Sequence, residues 1–314
     1  VSLVDYRWPV AANRDRGRAL LRERVEDFSV VEVLESGPAG DGGHVWMRIR
    51  KRSLSTPATA RRIADALRIK TADIGYSGLK DERSIAEQWF SVPTAAFSAS
   101  TVQSIDDVVL LEHTVQARKL RRGAHLGNRF EILLREVEQP QVPSDPFIFP
   151  NYFGQRRFGR DNIGQARDWL VNRRRRRITP FKRGIYLSVL RSLLFNEVLG
   201  QRVASGNWNV LLDGDVVDAA GHPTGPLWGR GTSRALGLAR DLEEQSLADY
   251  LELREGLEYA GVDQDRRSLV GTASAVRVVD VVPKQLLVSF FLPAGSYATV
   301  ALDEYFRLVD CATS

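Results

Sequence analysis

Apolar and polar residues alternate along much of the first half of the chain. His44–Arg50 (HVWMRIR) sets Val45, Met47 and Ile49 against polar neighbours, the period-two pattern of a strand with one buried face. RVEDFSVVEVL (Arg24–Leu34), rich in valine with Phe28 near its start, predicts another strand, as do Glu87–Val92, VVLLEHTVQA and NRFEILLREV. One helix interrupts them. Thr56 and Pro57 suit its N-cap and first helical position, and Ala60, Ile63, Ala64 and Leu67 give its apolar face. GPAGDGGH (Gly37–His44) lacks the Gly-Lys-Ser/Thr ending of a phosphate loop and reads as a hairpin turn. Many strands with short connections predict an α+β fold on an antiparallel or mixed sheet.

Around Pro140 the texture changes. EQPQVPSDPFIFPNYFGQRRFGRDN is rich in proline and aromatic residues and reads as a boundary. Beyond it, Asn162 suits the cap of a helix, and Tyr186, Val189, Leu190, Leu193, Leu194 and Val198 form a helical stripe. A further helix is expected over about Leu242–Gly256. The β pattern returns in KQLLVSFFL, Pro293-Ala294-Gly295 turns the chain, and Ser296 suits the cap of a last helix reaching Leu308. Strand-rich segments thus flank a helical middle, the pattern of one domain inserted in another.

The 314 residues are 43% hydrophobic and 26% charged, ordinary for a globular chain with room for two domains. No run approaches the roughly 18 apolar residues that span a bilayer, and the first residues lack the apolar core of a signal peptide. The single cysteine, Cys311, excludes an internal disulfide and fits a reducing, cytoplasmic setting. His44, His113, His125 and His222 are scattered without ligand spacing, so no metal is expected. The net charge of +5 says less than its distribution. Arg173–Arg177 is an unbroken arginine run; Arg118, Lys119, Arg121 and Arg122 cluster, as do Arg48, Arg50, Lys51 and Arg52. Such clusters are either solvated faces or a footprint for a polyanion, and their recurrence favours nucleic acid.

The sharpest chemical candidate is Asp81, in a turn framed by Gly75 and Gly78 between two strands. Glycines there let the backbone approach a ligand, although an aspartate in a turn also serves simply by bonding its own backbone. No second carboxylate stands at a fixed offset, and Ser77 has no histidine partner identifiable in the sequence, so glycosidase and serine-hydrolase readings fail. NYFGQRRFG (Asn151–Gly159), carrying Arg156 and Arg157 among aromatics, suits base stacking beside phosphate contacts, or a plain domain junction.

GLKDERSIAEQ (Gly78–Gln88) resembles the signature G-x-K-D-x-x-A-x-T-x-Q of the tRNA pseudouridine synthase D (TruD) family. RVEDFSVVE, GNRFEILLR, PNYFGQRRFG, LRSLLFNEVL, DGDV and FFLPAGSYAT follow that family's order and approximate spacing. The resemblance runs from about Arg22 to Phe306. It implies a pseudouridine synthase fold with a mixed, mostly antiparallel central sheet, and an inserted α-rich TruD-specific domain. The implied division is residues 1–154 and 272–314 for the catalytic domain, and 155–271 for the insertion. It further implies isomerisation of a uridine in tRNA, at position 13 in bacterial members, with no cofactor. Asp81 is then the catalytic residue. Phe28, Lys80, Asn128, Phe130 and Tyr297 are the implied substrate contacts, Lys80 supporting the loop or touching phosphate. Arg22, Arg156, Arg157, Arg174, Arg175 and Arg176 are the expected RNA contacts. Ser84 and Ala86 stand where the signature has Ala and Thr, and Tyr297 where Phe is usual. A cytoplasmic monomer acting on tRNA is expected; the rival is a non-catalytic RNA-binding protein on the same fold.

Overall fold

A computed structural model describes residues 8–12, 15–35, 41–138, 143–159, 161–171 and 178–312. In chain order the elements are β1 (Arg18–Leu21), β2 (Phe28–Leu34), β3 (His44–Arg52), α1 (Thr56–Leu67), β4 (Gly75–Tyr76), β5 (Ile85–Pro93), α2 (Ala99–Gln103), β6 (Val108–Gln116), β7 (His125–Arg135) and β8 (Phe147–Pro150). There follow α3 (Asn162–Val171), α4 (Pro180–Ala204), β9 (Thr224–Leu227), α5 (Gly237–Ser246), α6 (Leu251–Tyr259), β10 (Asp265–Ser268), β11 (Val270–Val282), β12 (Gln285–Pro293), α7 (Ala298–Asp303) and β13 (Arg307–Asp310).

The main sheet runs β6-β3-β5-β2-β7-β12-β11-β8, with β4 on β5 and β1 on β13 and β7. Its pairs are mostly antiparallel; β2–β5 and β1–β13 are parallel. This is the expected α+β class. Register puts Phe28, Val30 and Glu32 of β2 on one face with Asn128, Phe130 and Ile132 of β7, Ala86 and Gln88 of β5, and Ile49 and Lys51 of β3. That face is buried, so the period-two pattern holds where it was read. What packs against it is unusual, because Glu32, Lys51 and Gln88 are buried among the apolar residues.

Several expectations are corrected. Gly37–His44, part of which lies outside the described residues, is no hairpin turn: β5 stands between β2 and β3. Ser55, not Thr56, caps α1, accepting the Ala58 N–H at 3.3 Å. Leu242–Gly256 is divided between α5 and α6 by a short 3-10 turn. The last helix stops at Asp303 and is entered from Tyr297 without a side-chain cap, and β13 follows it as a parallel neighbour of β1.

Two compact units are present. One comprises Arg16–Phe147, Ala273–Gly295 and Tyr305–Ser314 and holds most of the sheet. The other comprises a short N-terminal segment, Ile148–Thr272 and Ser296–Glu304. Its helical core is built on α4, whose Tyr186, Leu190, Leu193 and Leu194 pack with Trp228, Leu253 and Leu257. The divisions fall after Phe147 and Thr272 rather than after Gly154 and Gly271. The reason is packing: Tyr152 joins the cluster of Phe195, Leu199 and Val270.

Candidate active site

The turn from Ser77 to Ser84 is held from within and below. Gln88, the last signature residue, donates from Nε2 to the carbonyl of Gly78, the first, at 2.7 Å. Its Oε1 accepts from Thr56 Oγ1 at 2.8 Å, and that hydroxyl oxygen accepts the Lys80 N–H at 2.9 Å. Thr56 is therefore spent on the turn, which is why capping falls to Ser55. The Ser84 hydroxyl donates to the Asp81 carbonyl at 2.8 Å, so serine at this position adds a bond that alanine lacks. Ala86, without the usual threonine hydroxyl, is fully buried in the sheet.

Lys80 does not face solvent. Its ammonium donates to Glu32 at 2.6 Å, with both side chains buried, and Glu32 also accepts the Trp89 N–H. Burial pushes the Lys80 pKa down, opposed by Glu32. Lys80 is thus held within the loop by its pair with Glu32 and does not present its ammonium to solvent. Lys51, also buried, donates to the Leu54 carbonyl and lies 3.5 Å from the Asp81 carbonyl. Its pKa is lowered to about 8, by burial first and then by the Lys80 charge.

Ser77 does have a histidine partner, contrary to expectation. Its oxygen accepts the His125 backbone N–H at 2.8 Å, and its hydroxyl pairs with His125 Nδ1 at 2.7 Å. Burial, then the Lys80 charge, lowers the His125 pKa. The imidazole is thereby favoured in its neutral form, in which Nδ1 can accept. Ser77 is buried, so the pair ties the turn to β7 and offers no exposed nucleophile. Gly78 lies over this group: an added Cβ would meet Lys80 Nζ at 3.0 Å and Glu32 and His125 at 3.2 Å.

Asp81 is different. One Oδ accepts from Arg22 at 2.7 Å, yet a third of the side chain is exposed. Arg22 itself is fully buried, with positive φ, and also pairs with Asp310 through Nε and a second guanidinium nitrogen. Its guanidinium lies 4.7 Å from the Phe28 ring centroid. Arg22 is thus consumed by carboxylates and a ring, which corrects its assignment as an RNA phosphate contact. Arg83 clamps the turn further, donating to the carbonyls of Cys311 and Glu23.

Phe28 and Phe130 meet edge-on at 5.9 Å, and Phe130 stacks on Phe290 at 5.6 Å. At 3% and 7% exposure they form a buried floor. Asn128, two residues before Phe130 on the same face, keeps Oδ1 buried without a hydrogen-bond partner among the described residues. A buried acceptor left unpaired costs about 1–3 kcal/mol, which makes it a candidate to accept a ligand N–H.

The remaining predicted residues lie in the other unit. Tyr297 is half-buried, edge-on to Phe153 at 6.2 Å, and a Cβ at Gly154 would meet its ring at 3.0 Å. Arg157 is bonded to Ser188 and Ser192 and lies 5.7 Å from the Phe153 ring centroid, so it serves the fold. Arg156 is exposed. Arg174, Arg175 and Arg176 lie outside the described residues. Among the described residues no cluster of three or more His, Cys, Asp or Glu could hold a metal ion, and no helix is long and apolar enough to cross a membrane.

Residues 11–166 match the family profile described as tRNA pseudouridine synthase D. The chain is 39% identical to the tRNA pseudouridine synthase D of Nitrosococcus oceani, over 92% of this chain and 90% of that protein. It is 38% identical to the protein of that name from Methylococcus capsulatus, with the same coverage of 92% and 90%. Its fold resembles a crystal structure described as a putative tRNA pseudouridine synthase D from Methanosarcina mazei. The TM-score is 0.65, with 18% identity over 98% of this chain and 97% of that one. The chain that mounts a single half-open carboxylate on a buried arginine belongs to the tRNA pseudouridine synthase D family.

Proposed function

We propose that this protein converts a uridine of tRNA, at position 13, into pseudouridine, with Asp81 as the reacting carboxylate and no cofactor. The observation that carries the reading is the pairing of Asp81, open to solvent on one side, with Arg22, closed on every side. Arg22 fixes the carboxylate's orientation, and the braced turn fixes its position, so little reorganisation is needed when a ribose arrives.

The target nucleotide must leave its stack to reach such a carboxylate, at a cost of a few kcal/mol. Two routes then start from Asp81. It attacks C1′ and displaces uracil by breaking N1–C1′, or it takes the C2′ proton and leaves a glycal. In the first route the Asp81–C1′ bond breaks as C5 bonds C1′; in the second, N1–C1′ breaks as the glycal forms, and Asp81 returns the proton to C2′ as C5 bonds C1′. In both, C5 sheds its proton and N1 gains one. The detached base must be held while it turns. Asn128 suits this role, because its amide can accept from N3–H or donate to a uracil carbonyl. The floor of Phe28, Phe130 and Phe290 keeps water away from below. This reading uses one compact unit, and the family-specific insertion, expected over residues 155–271, lies within the Ile148–Thr272 stretch of the other.

The test is to incubate the protein with an unmodified tRNA transcript and map pseudouridine along it. Modification at position 13 is expected. Pseudouridine at other positions alone would correct the target; none on any transcript, with binding retained, would leave an RNA-binding protein.

A further inference from the structure

A cleft of about 350 Å³ opens beside β4, the strand that leads into the Asp81 turn, and the reaction above makes no use of it. Arg61 of α1 lines it, with Lys119 and Arg122 from the loop between β6 and β7, and Tyr76 of β4. None of its lining residues is acidic. Two of these cations are held in place. The Arg122 guanidinium lies 5.6 Å from the Tyr76 centroid and donates to its hydroxyl at 3.3 Å, while Lys119 is fixed by a hydrogen bond to the Ala72 carbonyl. Gly75 permits this closeness: a Cβ there would meet the Lys119 side chain at 2.9 Å and crowd Ser91 and Leu120. Tyr76 is half-buried, and Arg61 and Arg122 are exposed.

We propose that this cleft binds one nucleotide of the substrate RNA away from the reacting uridine, its phosphate between Arg61, Lys119 and Arg122 and its base against Tyr76. The chemistry fits. Cations without an acid among them suit a phosphate, a fixed ring beside a guanidinium is a stacking platform, and the volume suits a ligand of nucleotide size. The site reads no base edge; it positions the strand. The inference rests on the proposed action on tRNA and adds a contact next in sequence to the catalytic turn.

The test measures binding of unmodified tRNA between 50 and 200 mM salt. Replacing Arg61 and Arg122 together by alanine is expected to lower the slope of log Kd against log salt by about 0.7–0.9, one phosphate contact's worth. The control is Arg230→Ala with Arg240→Ala, exposed arginines already paired with Asp263 and Glu244, which removes equal charge elsewhere. Tyr76→Leu is expected to weaken binding about 5- to 100-fold with little change in slope, and Tyr76→Phe to keep wild-type affinity. An unchanged slope in the cleft variant, or an equal fall in the control, overturns the assignment. So does micromolar binding of uridine monophosphate that the cleft variant abolishes, since the site would then serve a free nucleotide. If the wild-type protein fails to bind tRNA at all, the functional reading fails with it. If it binds with a full slope that the cleft variant leaves untouched, only this inference falls.

Discussion

Arg22 and Arg202 are both buried, one in each compact unit, and each holds a carboxylate. Arg202, at the end of α4, pairs with Asp215 at 3.1 Å, and both side chains are 3% exposed. It also donates to the carbonyls of Asn207 and Val210, so it stitches a loop to a helix. Arg22 is equally buried, but its partner Asp81 is 33% exposed. An ion pair shut on both sides can only hold structure. One shut on the arginine side alone holds a charged group at the surface in a fixed orientation. The second arrangement is what a reaction at a ribose requires.

Removing each carboxylate should separate these roles most widely. Asp215→Ala strands Arg202 without its counter-charge and is expected to cost about 3–5 kcal/mol in urea unfolding. Asp81→Ala leaves Arg22 with Asp310, and the lost pair is partly solvated, so the expected cost is about 0–1 kcal/mol. Equal losses would break the comparison. Asn128→Leu should lower kcat/KM about 5- to 150-fold, a loss of ~1–3 kcal/mol, while leaving unfolding stability unchanged or higher because it removes an unpaired acceptor. Lower stability at normal kcat/KM would return Asn128 to the core.

Lys51 sharpens the same contrast through pH. With its pKa lowered to about 8 from 10.5, it loses its proton above pH 8 in the folded protein, and with it the ammonium that faces the Asp81 carbonyl. Activity should fall to roughly a tenth one unit above that pKa. Over the same window, from about 8 to 10.5, the unfolded chain binds more protons at Lys51 than the folded one, so this residue makes stability rise with pH. Activity and melting temperature should therefore move in opposite directions, and Lys51→Met should flatten both trends. Parallel loss of both would assign the effect to unfolding. Smallest of all, Ser84→Ala removes the hydroxyl bonded to the Asp81 carbonyl and should cost about 0.5–1.5 kcal/mol with a few-fold loss of rate.

Much of this was legible in the sequence because it is local. Period-two alternation gives the strands, and the span from Gly78 to Gln88 closes on itself with the hydrogen bond that its spacing allows. What was not legible depends on residues distant in sequence. Arg22 looks like any basic residue until Asp81 and Asp310 close around it. Ser77 and His125 are 48 positions apart, and only the packing of the turn on β7 joins them. Thr56 carries the signals of a cap, but the Lys80 N–H takes its hydroxyl, and neighbouring Ser55 caps the helix instead. Phe130 stands at a position implied to contact substrate, yet Phe290 completes a stack that buries it, a contact no local pattern announces.

The account turns on the carboxylate of Asp81, and its most direct test is tritium release from tRNA carrying C5-labelled uridine by the Asp81→Asn protein. The amide keeps the shape and one acceptor for Arg22 but can neither attack C1′ nor take a proton from C2′. Release at background with tRNA binding retained is the predicted result; turnover near that of the unsubstituted protein would contradict it.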